Sequence, residues 1–155
     1  TKRTMYPHQY YILFNLRKIF TLLISDKKIT GSLEAEIDLF LTEKIHRRPD
    51  ITYFTDEQAI LMAHGELPTP KFVIEVVSSN DVLPRQNLKM KNYRDAGIQV
   101  IWQIFPETKE VIITRGKDAV TCTGDDICSA APVLPDFKIS VKDIFQKPPK
   151  PVKKT

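Results

Sequence analysis

Three charged side chains stand out because their types suit hydrolysis of a phosphate ester. Asp50 follows a proline at the start of a predicted strand, and Glu75 lies inside the apolar segment 72–77. Lys89 follows in a segment with helical spacing. An ionised carboxylate is rarely buried without a partner or a metal ion. We therefore expect the two acids to meet at one edge of a sheet, with the ammonium group of Lys89 beside them.

Two carboxylates, together with backbone carbonyls and water, form the oxygen-rich site that Mg²⁺ or Mn²⁺ prefers. Such an ion acidifies a bound water molecule and stabilises charge on a phosphoryl oxygen. A nearby lysine would neutralise the developing phosphorane or position the attacking water. The chemistry indicated is metal-dependent hydrolysis of a phosphodiester. A structural interpretation stays open, in which Asp50 belongs to a turn and Glu75 forms a buried ion pair with Lys89.

Other reaction classes find little support in the sequence. It contains no Gly-x-Ser-x-Gly elbow, and its five glycines are too scattered for a phosphate-binding loop. Cys122 and Cys128 lack the further ligands of a zinc site; a small disulfide loop is open to them, but free thiols are the favoured prediction. His8, near the start of the first predicted helix, is a supporting candidate, although capping is the commoner role there.

Composition predicts one domain in an ordinary water-soluble chain of 155 residues, 42% hydrophobic and 27% charged. No apolar run approaches a membrane span and no secretory signal is visible, so we expect a cytoplasmic protein without a membrane partner. The net charge of +4 arises entirely from Lys142 onward. We therefore predict a single domain over residues 1–145 and a disordered basic tail over 146–155.

Apolar periodicity and turn residues predict alternating helices and strands. Residues 7–25 have the spacing of an amphipathic helix, and residues 33–41 alternate as a half-exposed strand. The later predicted elements are a strand at about 47–55 in a hairpin with 33–41, a helical turn at 58–62, a central strand at 72–77, a helix at 84–96, strands at 100–105 and 111–114, and a closing segment at 133–145. This order indicates an α+β or mixed α/β fold with helices flanking one central mixed sheet.

Several of these segments together resemble the Uma family, whose members are classed as "putative restriction endonucleases" within the PD-(D/E)xK nuclease superfamily. The resemblance extends over about residues 7–145. The segments that carry it are Arg48-Pro-Asp-Ile51, Phe72-Val-Ile-Glu-Val-Val-Ser-Ser79, Lys89-Met-Lys-Asn-Tyr93, Ala96-Gly97-Ile98, Val100-Ile-Trp-Gln-Ile-Phe-Pro106 and Val133-Leu-Pro-Asp-Phe137.

The resemblance implies a restriction-endonuclease-like core that cuts DNA with a divalent metal, Mg²⁺ or Mn²⁺. It makes Asp50 and Glu75 the metal ligands. The superfamily usually has a lysine two residues after the glutamate, where this chain has Val77. Members of the family move that lysine to the next helix, four residues before a tyrosine, and Lys89 with Tyr93 matches this pattern. Lys91 is the alternative lysine, about 200° around the helix from Lys89.

Two departures from the family pattern keep a second interpretation open. The usual Tyr-Glu-Leu-x-x-Gly-like opening segment is absent, and Phe105 replaces the usual aspartate of its strand. The alternative function is a catalytically degraded nuclease fold that acts as a nucleic-acid or protein binding module. A homodimer is a further expectation, with Phe40 and Tyr53 as the apolar residues expected at its surface.

Overall fold

The computed structural model describes residues 7–152, and their side chains from residue 10 onward. Within these residues the chain alternates between short strands and four helices. The elements in order are α1 (Pro7–Ser25), β1 (Ser32–Ala35), β2 (Leu39–Phe40), β3 (His46–Arg47), β4 (Ile51–Phe54), α2 (Asp56–Ala63), β5 (Phe72–Val76), α3 (Leu83–Asp95), β6 (Val100–Phe105), β7 (Glu110–Arg115), β8 (Asp118–Thr123), β9 (Ile127–Ala130), β10 (Leu134–Ser140) and α4 (Val141–Ile144).

A six-stranded sheet in the order β1-β4-β5-β6-β7-β8 organises the molecule. The central strands β5 and β6 are parallel, with Glu75 opposite Gln103, and the other neighbouring strands are antiparallel. A parallel pair needs a crossover, and here the crossover contains α3. The predicted fold class, a mixed central sheet flanked by helices, is confirmed.

One face of the sheet packs against α1 because that helix carries a continuous apolar stripe. Ile12, Leu16 and Phe20 of α1 are buried in one cluster with the sheet residues Phe72 and Trp102. Strand β10 covers the same face through Phe137, whose ring stacks on Trp102 at 5.4 Å and contacts Phe20 edge-on at 5.9 Å. The small β9–β10 sheet and the large sheet therefore share one core.

The opposite face of the sheet is covered by α3. Val73 and Ile101 of the sheet form a second buried cluster with Met90, Tyr93 and Ile98. Gly97, with φ of 90°, ends the helix in the left-handed conformation that glycine adopts without strain. This packing holds Tyr93 over the part of the sheet where Glu75 lies.

The predicted single strand over residues 33–41 is wrong. Strand β1 ends at Ala35 because Glu36 has a left-handed φ of 51°. The Glu36 N–H donates to the carbonyl of Asp50 (3.2 Å), and its own carbonyl accepts from Arg48 Nε (3.0 Å). The predicted hairpin is consequently split into two ladders, β1 with β4 and β2 with β3. Asp50 lies in the break between β3 and β4, immediately before β4.

The sequence pattern predicts no strand between residues 114 and 133, whereas the structure has two strands there, β8 and β9. Strand β8 follows a turn at Gly116-Lys117, and β9 follows a second turn near Asp126. Most residues of β8 are exposed because it forms an edge of the sheet, so its sequence lacks a clear buried periodicity. Within the described part of the chain, no helix combines the length and the apolar character that crossing a bilayer requires.

Of the two residues expected at a dimer surface, one is exposed and the other is buried. Phe40 is 62% exposed and stacks on His46 at 4.8 Å. Tyr53 is 5% exposed, and its hydroxyl donates to the carbonyl of Thr30 at 2.8 Å. The expectation for Tyr53 is wrong because its ring packs into the core against Phe20. The homodimer is therefore not supported by these residues.

Candidate active site

Asp50 and Glu75 belong to neighbouring segments of the large sheet and are both buried, with 6% and 2% of their surface exposed. Strands β4 and β5 pair with Ile51 opposite Ile74, which brings Asp50 close to the end of β5. The Val76 N–H donates a 2.7 Å hydrogen bond to Asp50 Oδ2. The carboxylate of Asp50 is therefore held beside the residue that follows Glu75.

Helix α3 supplies two groups that contact the Glu75 carboxylate. The Tyr93 hydroxyl donates a hydrogen bond to Oε1, and Lys89 Nζ lies 3.5 Å from Oε2. Tyr93 is fully buried, whereas the Lys89 side chain is 21% exposed. The two residues are four positions apart and so share one face of the helix. Each oxygen of Glu75 thus contacts a different side chain of α3.

The electrostatic environment of Tyr93 links the two carboxylates. Burial is the main cause that raises the pKa of the Tyr93 phenol far above its usual value. The negative charge of Glu75, the hydrogen bond to it and the charge of Asp50 act in the same direction, while Arg47 opposes them. Both acids act on a single phenol, so they occupy one region of the site. Tyr93 stays protonated at neutral pH and acts as a hydrogen-bond donor.

Arg47 is a cationic group of this region that sequence reasoning missed. Its Nε and Nη2 atoms donate to Asn92 Oδ1 at 3.1 and 2.6 Å. Asn92 is buried on α3 next to Tyr93, which fixes the position of the guanidinium group. The sequence contained one signal of this role: the arginine lies three residues before Asp50, so the chain at that point leads directly to the site.

The other lysine positions considered from the sequence lie elsewhere. Lys91 Nζ is 2.5 Å from Asp95 Oδ2 on the exposed outer side of α3. Val77, at the superfamily's usual lysine position, is buried, and its N–H donates to the Ile104 carbonyl at 2.8 Å. The structure therefore brings Lys89, and not Lys91, to Glu75. The backbone of His8 lies in α1, but its side chain falls outside the described residues.

The donor set at this site suits a hard divalent cation. Asp50 and Glu75 offer only oxygen atoms, and within the described residues no group of three or more His, Cys, Asp or Glu side chains is placed to hold a metal ion. A small oxygen set of this kind matches Mg²⁺ or Mn²⁺, which keep several waters, better than zinc, which binds nitrogen and sulfur ligands.

A central mixed sheet flanked by helices, with Asp50 immediately before one strand and Glu75 on the neighbouring strand, is a restriction-endonuclease-like fold. The chain matches the model of the Uma2 family, described as "Putative restriction endonuclease", over residues 3–142. The protein therefore belongs to the Uma2 family, as its sequence motifs predicted.

A solved structure has a similar fold. It is the crystal structure of a "putative nuclease belonging to DUF820" from Anabaena variabilis ATCC 29413, with a TM-score of 0.76. The similarity covers 94% of this chain and 84% of that chain at 18% sequence identity. At this identity the likeness establishes the fold. No curated protein matches the chain in sequence.

Proposed function

We propose that the protein is a divalent-metal-dependent DNA endonuclease that hydrolyses phosphodiester bonds. The observation that carries the proposal is the convergence of Asp50, Glu75 and Lys89 from three separate segments on one buried edge of the sheet. Membership of a family described as "Putative restriction endonuclease" supports a nucleic-acid substrate.

Asp50 and Glu75 are the residues that would hold Mg²⁺ or Mn²⁺. When bound, the ion supplies an acidified water and charge stabilisation at a phosphoryl oxygen. Lys89 places a positive charge beside the carboxylates, where it would stabilise the developing phosphorane or orient the attacking water. Tyr93 acts as a positioning residue, since its hydroxyl fixes one oxygen of Glu75.

The test is the nicking of supercoiled plasmid DNA by Glu75→Gln in Mg²⁺. The substitution keeps the size of the side chain but removes a charged ligand, so we expect at least about 100-fold less nicking. Glu66→Gln, an exposed glutamate after α2, is the matched control and should cut like the wild type. Unchanged nicking by folded Glu75→Gln protein would refute the assignment.

A second candidate function, a non-catalytic binding module, is favoured by a specific observation. Asp50 Oδ2 and both oxygens of Glu75 contact protein groups, as the carboxylates of a structural network would. The two functions differ in their response to a divalent ion.

A thermal melt with and without Mn²⁺ separates the two. An ion at about 100 times its Kd stabilises the folded state by about 2.7 kcal/mol, which for a chain of this size raises Tm by about 5–10 °C. We expect this increase in the wild type and its loss in Glu75→Gln. Equal melting temperatures in the wild type with and without Mn²⁺ would favour the binding module.

A further inference from the structure

Beside Lys89 a cleft opens at the start of α3. It has a volume of about 260 Å³, and its walls include Arg47, Arg85 and Lys89. That volume holds several water molecules or one phosphate group. Three cationic side chains and the carboxylate of Asp81 thus line this space, and one of the cations, Lys89, also contacts Glu75.

The charge of Arg47 in this cleft is not neutralised by the group that holds it. Its Nε and Nη2 donate to the amide oxygen of Asn92, which carries no charge. A guanidinium presents five N–H donors, so this contact leaves others for an anion. Arg85 lies one turn before Lys89 on α3 and is exposed. The lining of the cleft therefore has more positive than negative side chains, with Asp81 as its acidic residue.

The first turn of α3 adds a backbone donor to the same space. Val82, the N-cap residue, provides no side-chain hydrogen bond to the helix, and the first turn contains no acidic residue. Asp81, which could have capped it, accepts from the N–H and hydroxyl of Ser78 instead. The positive end of the helix dipole therefore has no side-chain cap, and since Pro84 has no N–H, Arg85 is the first-turn residue that both lines the cleft and carries a backbone donor.

Gln86 is a further polar residue in the wall of the cleft, although its amide oxygen is itself shielded from solvent. The residue lines the cleft and is only 8% exposed, yet its Oε1 has no hydrogen-bond partner. Burying an unpaired amide is costly unless something else pairs with it. The amide can turn to present its NH₂ group to an acceptor. Gln86 lies three residues before Lys89, so the cleft extends along α3 away from Glu75.

We propose that this cleft binds a second phosphate of the DNA strand, next to the phosphate that is cleaved at Asp50 and Glu75. Arg47 and Arg85 provide the charge, and the first turn of α3 and the Gln86 amide provide hydrogen bonds. The proposal deepens the proposed nuclease function and rests on it for the identity of the substrate. The cleft fixes the position of the strand relative to the two acids.

The test measures the affinity of Glu75→Gln protein for a short DNA duplex at several salt concentrations, because this background binds without cutting. Arg85→Gln removes one exposed charge, and Gln86→Glu adds a negative charge without changing the size of the side chain. Each change should lower affinity about tenfold, and Arg85→Gln should also reduce the slope of log affinity against log salt by about 1. Arg47→Met, checked for folding by a melt, should have the effect of Arg85→Gln.

Lys117→Gln is the matched control. Lys117 is exposed in the turn between β7 and β8, at the opposite end of the sheet from the cleft. It should reproduce the salt slope of the Glu75→Gln parent. Cleft variants that behave like Lys117→Gln would overturn the proposal. The second ligand tested is inorganic phosphate. Because contact with a single anion is weak, we expect phosphate at about 1 mM to leave the melting temperature of the protein unchanged.

The outcomes separate this proposal from the nuclease proposal. DNA binding that depends on Arg85 and Gln86 supports the cleft even if the wild type does not cut DNA, in which case only the nuclease proposal fails. Cutting that depends on Glu75, with binding insensitive to the cleft variants, overturns the cleft alone. A third outcome is also possible: inorganic phosphate stabilises the wild type but not the Arg85 variant, while DNA binding does not depend on Arg85. This would show a site for free phosphate and would overturn the proposal.

Discussion

At the scale of single residues, Glu75 is a buried acid whose two carboxylate oxygens both contact side chains of α3. It is almost fully buried, receives a hydrogen bond from Tyr93, and lies 3.5 Å from the Lys89 ammonium. A buried carboxylate stabilises the fold only when such partners compensate its lost hydration. The same contacts that make its burial tolerable also fix its orientation, so structure and proposed chemistry depend on the same atoms.

The pKa of Tyr93 predicts how stability changes with pH. Its folded-state pKa is raised, so its contribution is fully present below the unfolded value near 10 and is lost as pH rises above it. We expect stability above pH 10 to fall by about 1.4 kcal/mol per pH unit for this group. Tyr93→Phe should be less stable at pH 7 but have a shallower alkaline slope.

Urea unfolding at several alkaline pH values measures that difference. Burial also raises the pKa of Tyr53, so part of the slope should remain in the variant. Tyr10 is 65% exposed, and Tyr10→Phe is the matched control for removing a hydroxyl group from a tyrosine. Identical slopes for Tyr93→Phe and the wild type would contradict the role assigned to burial of this phenol.

The two lysines of α3 make a direct comparison within one helix. Lys89→Met removes the charge beside Glu75 and should reduce nicking about 100-fold. Lys91→Met removes a charge that pairs with Asp95 on the exposed side, where ion pairs contribute less than about 1 kcal/mol to stability. Plasmid nicking and a thermal melt for both variants provide the measurement. A larger loss of nicking in Lys91→Met would reverse the assignment.

At the scale of elements, α3 positions most of the site, and much of it was predictable. Its length, its end at Gly97 and the shared face of Lys89 and Tyr93 follow from local spacing. Arg47 and Gln86 were harder to recognise. Arg47 reaches the site only because β2 and β3 form their own ladder, and Gln86 is significant only because its amide is buried and unpaired.

The break at Glu36 shows why the first strand was mispredicted. Strict apolar alternation over residues 33–41 indicates one strand, but a left-handed glutamate interrupts it. Its hydrogen bonds are to the Asp50 carbonyl and Arg48, which are distant in sequence. Tertiary contacts of this kind override a local sequence pattern. Strand β8 was missed for a different reason, since an exposed edge strand does not require a periodic pattern of apolar residues.

The loop before β1 contains a glycine that tolerates no side chain. Gly31 has φ of 93°, and a Cβ there would lie 2.5 Å from the Phe54 carbonyl and 2.6 Å from the Tyr53 hydroxyl oxygen. Gly31→Ala should therefore lower the free energy of unfolding by about 3 kcal/mol. Gly65→Ala is the control, since Gly65 has φ of 85° but open space around it, and strain alone costs about 1 kcal/mol.

Chemical denaturation of both variants tests the contact. Similar losses of stability for Gly31→Ala and Gly65→Ala would mean that φ, and not the close approach of β4, determines the cost at Gly31.

At the scale of the whole molecule, the six-stranded sheet and the β9–β10 sheet share one core, so we expect them to unfold together. Phe137 of β10 contacts Trp102, Phe72 and Phe20, which belong to the large sheet and α1. Phe137→Ala should cost about 3–5 kcal/mol and should shift the far-UV and Trp102 fluorescence transitions equally. Val120→Ala, at a site 55% exposed, should change stability by less than about 0.5 kcal/mol. Separate transitions for the two probes would contradict a shared core.

The division into a domain over 1–145 and a basic tail stays a prediction. Among residues 146–152 the structure has neither helix nor strand, although the Gln146 carbonyl accepts from Asn15 Nδ2 at 2.9 Å. The whole net charge of +4 comes from Lys142 onward, so the body of the molecule is electrically neutral. The local excess of positive charge at the start of α3 therefore results from where the fold places the charged residues, and not from a basic composition.

The ammonium group beside Glu75 comes from a crossover helix, while the strand position that usually carries it is filled by Val77. The catalytic role proposed for Lys89 requires an amine at a particular point in space, and more than one stretch of chain can reach that point. Searches that require a lysine two residues after the acid would pass over such a protein. A search by three-dimensional template, built on two carboxylates and one amine without regard to chain order, would retrieve it.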